Sequence, residues 1–205
     1  MAEILDIFDD DLHLIGTAPR DEVHGKGLLH QVVHCWILTY SGEAPTRDTI
    51  RIWCQQRSYT KKDFAGLYDV LSMGGHIDAG EAPLPACRRE IWEELGLSLQ
   101  DEQLCELGAF RNREVHIPGF HDREVAWVYT VLLPEPAGFA PGEEVEKMVW
   151  LTIDEMSRKE LDHRFPVTVN TEDGKTIATS EADWCPPCRE FEVMVLPWLR
   201  TLGIE

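Results

Sequence analysis

Hydrophobic residues along the chain fall into short dense runs separated by polar and glycine-rich stretches. Ile4 to Phe8 and Leu12 to Gly16 flank the acidic turn Asp9-Asp10-Asp11 and predict an opening hairpin. Arg20 to His30 is polar and Gly-rich and reads as a loop. His30 to Tyr40 (HQVVHCWILTY) is rich in β-branched and aromatic residues and predicts a buried strand, with His34 a packing residue inside it. Thr49 to Gln56 alternates and predicts a second strand. Arg57 to Leu67 reads as a basic loop, and Tyr68 to Gly75 as a short strand entering a Gly-rich turn.

The period then changes. Leu84, Cys87, Ile91 and Leu95 recur at helical spacing, so Pro85 to Leu95 predicts a helix that Gly96 terminates. Leu104 to Arg113, Arg123 to Leu133 and Glu146 to Leu151 predict strands, with a Pro/Gly loop from Pro134 to Gly142 and a short helix from Thr152 to Leu161. Beyond Asp162 a hairpin is expected over Phe165 to Thr179, turning at Asp173-Gly174. A closing helix follows from Pro187 to Leu202, interrupted near Pro197. Strands and helices mix without regular alternation, which favours an α+β class.

Composition narrows the function. The 205 residues hold 19 basic and 37 acidic side chains, a net charge of −18. Nucleic acid polymers and anionic membranes are therefore poor partners, and an anionic ligand needs local bases or cations. No run is long and apolar enough for a membrane span, and the acidic N-terminus lacks a basic n-region. The six cysteines fit reduced thiols, so a cytoplasmic location is expected.

One helix carries an anomaly. Glu90, Glu93 and Glu94 share a face, and each like-charge pair costs roughly 0.2–0.5 kcal/mol in an isolated helix. Alone, three such acids read as a solvated face partly neutralised by Arg88 and Arg89. Oxygen-rich clusters are also what Mg²⁺ and Mn²⁺ select, and Gly74, Gly75 and Gly80 permit a tight loop close to a ligand. The pattern extends further: Gly75, Glu81, Arg89, Glu90, Ile91, Glu93, Glu94, Gly96 and Leu97 fill every fixed position of the Nudix box, G-x5-E-x7-R-E-U-x-E-E-x-G-U. On these residues the chain resembles the Nudix hydrolase superfamily. The resemblance implies an α/β/α sandwich with a mixed central sheet. It also implies Mg²⁺ or Mn²⁺ as cofactor, Glu90 and Glu94 as leading metal ligands with Glu93 assisting, Arg89 orienting a carboxylate, and Gly75, Glu81 and Gly96 as structural loop positions. Residues 1–161 then form the Nudix domain with its N-terminal hairpin, and residues 162–205 an extension of hairpin plus helix packed on it.

A looser likeness concerns the isopentenyl-diphosphate isomerase branch, which shares that fold. It is similar at His24, His30, His76, Asp122 and Glu124, which in that branch bind a divalent metal, and at Arg20, Arg57 and Lys61, which grip a diphosphate. Where the isomerase needs a cysteine before its Gly-His pair, this chain has Gly74. The reading is therefore a metal-dependent hydrolase of a phosphoanhydride bond in a small nucleoside-diphosphate-type or related molecule. The alternatives are isomerisation of an isoprenoid diphosphate, or a non-catalytic ligand sensor. Glu124 is the first choice of general base, with Glu143 and Glu144 as alternatives.

The tail adds a lure, Trp184-Cys185-Pro186-Pro187-Cys188, which looks like a thioredoxin-type active site. The segment before it is poor in strand formers, and too few residues follow for that fold. His163 alone is thin support for a structural metal knuckle. Phe191, Met194, Val195 and Trp198 instead supply an apolar stripe for docking on the core, or on a second copy of the chain in a homodimer.

Overall fold

The computed structural model of the protein describes residues 3–111 and 114–204. Its centre is β3 (Leu29–Tyr40), the run of β-branched and aromatic residues. Antiparallel neighbours are β4 (Ile50–Arg57) and β6 (Met73–His76), while β10 (Glu124–Pro134) runs parallel to β3 along its length. The opening hairpin, β1 (Ile4–Phe8) and β2 (Leu14–Pro19), joins β3 on one side. On the other, β11 (Val145–Leu151), β12 (Val167–Thr171) and β13 (Thr176–Thr179) continue outward from β4. The short β5 (Tyr68–Asp69) pairs with β4, and β7 (Cys105–Arg111) pairs with β10. One parallel pair among antiparallel ones makes the sheet mixed.

The pleat sends successive residues of β3 to opposite faces, and each face has its own core. Val33, Cys35 and Ile37 pack with Ala86, Cys87, Ile91 and Leu95 of helix α2 (Pro83–Leu95). Val32, Trp36 and Leu38 pack instead with Ile153 and Met156 of helix α3 (Ile153–Glu160) and with Phe191, Val195 and Leu199 of the closing segment. Helices thus cover both faces of an α+β sheet, the α/β/α layering expected.

Several elements differ from the sequence expectation. The stretch read as a loop after Arg20 contains helix α1 (Arg20–Lys26). Its polar composition hides a single apolar anchor, Val23, buried with Leu5 and Ala18. Asp21 and Glu22 in its first turn and Lys26 in its last suit the helix dipole. The second hairpin strand begins at Leu14 because Leu12 takes a left-handed turn conformation, φ 64°. An unexpected hairpin, β8 (Val115–Ile117) with β9 (Phe120–Asp122), precedes β10, and the last two predicted residues of the strand at β7, Asn112 and Arg113, lie outside the described residues. The closing helix does not start at Pro187. Phe191–Val195 is π-helical and leads into α4 (Leu196–Thr201). Pro197 cannot donate the backbone bond an α-helix needs there, which accounts for the break.

Gly96 ends α2 with φ 66° and donates its N–H to the Trp92 carbonyl, 3.0 Å away. A Cβ there would lie 2.8 Å from the Ala140 carbonyl oxygen. Gly96→Ala is expected to cost about 1–3 kcal/mol of stability, read as a lower urea midpoint with an unchanged m-value.

Candidate active site

Strand register gathers the polar residues. In β3, His30 pairs with Glu124 of β10, and His34 lies opposite Gly74 of β6. His76 of β6 lies opposite Val32, and α2 crosses behind β6. A cavity of about 680 Å³ opens among these elements. Its wall includes Glu90, Glu93 and Glu94 from α2, and His24, His34, His76, Asp122 and Glu124 around the end of the sheet.

Arg89 fixes the first group. Its guanidinium donates to both carboxylate oxygens of Glu81 (3.2 and 2.8 Å), to Glu90 (2.7 Å), to Glu93 (3.3 Å) and to the His76 carbonyl (3.0 Å). Gly75 then lies against Glu90 so closely that a Cβ would stand 2.2 Å from the Glu90 carboxyl carbon. Glu90 and Glu94 are largely withdrawn from solvent, whereas the Glu93 side chain is 56% exposed. Burial acts most strongly on Glu94; Lys61 opposes it, Glu90 and Glu144 reinforce it, and the carboxyl is pushed up to about 8. Burial raises Glu90 as well, against the pull of Arg89.

The second group is a histidine cluster. His24 and His76 approach through their Nε2 atoms at 3.0 Å, and His30 Nδ1 donates to the Leu28 carbonyl at 3.1 Å. A carbonyl only accepts, so His30 turns a lone pair at Nε2 toward the cluster. Asp122 Oδ1 stands 3.7 Å from both His24 Nδ1 and His30 Nε2. Those three buried atoms have no hydrogen-bond partner. Burial and the neighbouring charge of His76 hold His24 down at about 4 and His30 at about 3. Burial and Glu124 push Asp122 well above the carboxylate range. Ligand atoms of His24, His30 and His76, and of His30, Asp122 and Glu124, lie within 4.8 Å of one another. Neutral imidazoles and carboxylates converging with orphaned buried lone pairs fit a divalent cation.

The three basic residues all line the cavity, and each is paired: Arg20 with Glu3 (3.0 Å), Arg57 with Asp63 (2.6 Å), and Lys61 with Glu144. Glu144 therefore sits in the wall as an ion-pair partner, while Glu143 is exposed and outside it. Glu124 is in the wall, 3.6 Å from His34 Nε2.

His34 departs from the sequence reading, and Glu190 had no part in it. His34 is not mere packing: Glu190 holds its Nδ1 at 2.6 Å, and although burial opposes the charge, Glu190 and Glu124 push it up to about 10. Glu190 went unnoticed because it is one of 37 acids with no motif around it. Only its place beside Phe191, in an apolar stripe, hinted at burial. The Cys-Pro-Pro-Cys stretch also lies in the cavity wall. Burial raises both thiols, the reverse of a reactive dithiol, and among the described residues neither joins a metal-type cluster with His163.

The chain matches the NUDIX domain family over residues 29–171. An uncharacterized Nudix hydrolase of Clostridium acetobutylicum is 35% identical over 158 residues, covering 76% of this chain and 73% of the relative. An isopentenyl-diphosphate Delta-isomerase of Serratia proteamaculans is 30% identical, covering 77% and 80%. The crystal structure of DR0079 from Deinococcus radiodurans has the same fold, with a TM-score of 0.57 and 22% identity over 77% of this chain and 88% of that one.

The raised Glu94 gives a test on metal-free protein. Between about 4.5 and about 8 the unfolded carboxyl ionises while the folded one stays protonated, so its contribution to stability falls as pH rises through that window. Glu94→Gln is expected to remove this decline. With chelator present, the variant should melt at a higher temperature than the parent at pH 9, by a margin that shrinks toward pH 4.5.

Proposed function

The chain belongs to the Nudix hydrolase family, enzymes acting on pyrophosphate bonds, and from that premise we propose that it cleaves a phosphoanhydride bond in a small nucleoside-diphosphate-type or related molecule, with Mg²⁺ or Mn²⁺ as cofactor. The observation that carries this reading is the convergence of Glu90 and Glu94 on a cavity that also holds Arg20, Arg57 and Lys61. Acids that would hold cations and bases that would hold phosphate face one space. Among the described residues, no helix is long and apolar enough to cross a membrane.

In this reading Glu90 and Glu94 would hold a cation, Glu93 would assist at the rim, and His24, His30, His76, Asp122 and Glu124 would hold a second. A divalent cation supplies charge neutralisation of the phosphate oxygens and activation of water. Arg89 keeps Glu90 aimed inward by engaging one of its oxygens. Arg57 and Lys61 grip the diphosphate by exchanging their carboxylate partners for phosphate oxygens. Glu124 is the general base, taking the proton from the attacking water. Lys61 already engages Glu144, which leaves that carboxylate the weaker choice. Glu93 is 56% exposed and bonded to Arg89, so its part is to balance charge at the opening.

A second reading is isomerisation of an isoprenoid diphosphate. The histidine cluster and the isomerase-named relative favour it; Gly74, which supplies no acid-base side chain, counts against it. One panel separates the readings: purified protein, Mg²⁺ or Mn²⁺, and nucleoside diphosphate derivatives, dinucleotides and isoprenoid diphosphates. The expected result is phosphate-containing cleavage products. A rearranged isoprenoid without phosphate release would select the isomerase, and tight binding without turnover a sensor. Glu94→Gln is expected to lower kcat by roughly 10²-fold or more, measured on whichever substrate the panel identifies.

A further inference from the structure

Glu190 is fully buried, yet it belongs to the closing segment rather than to α2 or the histidine cluster. Its Oε2 accepts from Trp36 Nε1 at 2.9 Å, and its Oε1 from His34 Nδ1 at 2.6 Å. The opposite ring nitrogen of His34 faces Glu124 Oε1 at 3.6 Å. Trp36 and His34 are two apart on β3 and so share one face of the sheet, which lets a single carboxylate engage both.

The preceding chain is anchored at several points. Trp184 donates its indole N–H to Thr179 Oγ1 at 2.9 Å and packs its ring against Tyr68. The Cys185 N–H reaches the Tyr68 carbonyl at 2.8 Å. Pro186 and Pro187 then carry the chain along the cavity wall and deliver Glu190 beneath β3. Desolvating a carboxylate is expensive, and an apolar side chain of similar volume often serves stability as well or better. A buried acid whose partner touches the cavity points to a role in the site.

We infer that Glu190 is a positioning residue: through His34 it fixes the orientation of Glu124, which makes the closing segment a working part of the hydrolytic pocket. The imidazole nitrogens lie on opposite sides of the ring, so a bond held at Nδ1 sets where Nε2 points. Trp36, fully buried, holds the carboxylate from behind. The inference rests on the reading of Glu124 as general base.

The test is steady-state kinetics on the substrate found by the panel, with rates normalised to the folded fraction. Glu190→Gln keeps the size of the side chain and an acceptor for Trp36. Its kcat is expected to fall about 10- to 100-fold, the usual cost of losing an orienting partner, with KM little changed. His34→Gln should lose a similar factor, and the double variant no more than the worse single, because both act through one path. Trp36→Phe, which keeps the packing but removes the donor, should lower kcat by a smaller factor and decides the matter if Glu190→Gln does not fold. A wild-type kcat in Glu190→Gln, or in Trp36→Phe when that variant must decide, overturns the inference. So do losses that multiply in the double variant, or losses that vanish on normalisation. Glu124→Gln is the control. If it turns over at the wild-type rate, the general-base reading fails and this inference with it. If it is inactive while Glu190→Gln is not impaired, this inference alone fails.

Discussion

The site depends on the five-way grip of Arg89. One guanidinium holds a loop acid, two helix acids and a strand carbonyl in fixed relation. Those groups come from three elements with no reason of their own to meet: the end of β6, the turn at Glu81 and the middle of α2. A lysine would offer a point charge, whereas the planar fork bonds in several directions at once. The glycine at 75 completes the arrangement by letting the backbone of β6 lie directly on Glu90.

Around that anchor the ionisable groups shift in opposite directions. The buried acids Glu90, Glu94 and Asp122 are raised, while the imidazoles of His24 and His30 are lowered. Both trends come chiefly from burial, which penalises whichever form is charged. Without a cation these groups therefore tend toward their neutral forms. Divalent charge would reverse that local preference and draw the acids into their ionised state. His34 departs from the histidine trend because carboxylates approach it from both sides, and Glu3 and Glu81 depart from the acid trend because, against burial, His76 and Arg20 hold the first down and Arg89 the second.

Much of this was legible in the sequence, for identifiable reasons. The dense β-branched run at β3 and the helical period at α2 are strong patterns, and both elements are buried along the faces those patterns predict. The glycine at 96 ends its helix in the left-handed conformation that glycine favours. Motif spacing identified the acids on α2 because a fixed interval on a helix is a fixed geometry. Helix α1 escaped because one buried valine among polar residues carries no period. The His34–Glu190 contact escaped because it joins residues 156 positions apart. Nothing local in either segment announces the other, since long-range pairing leaves no imprint on short-range pattern.

The pairing of every wall cation has a consequence for selectivity. Arg20, Arg57 and Lys61 are already neutralised by Glu3, Asp63 and Glu144. If these bases hold phosphate as proposed, the cavity would act as an exchanger rather than an open positive trap: an incoming anion would reach each of them by displacing a resident carboxylate. Singly charged metabolites offer no more than the acid they would displace. Polyanions that span two of these side chains at once would hold the advantage, so on that reading the acidic neighbours would set a threshold that sorts ligands by charge multiplicity before any chemistry begins.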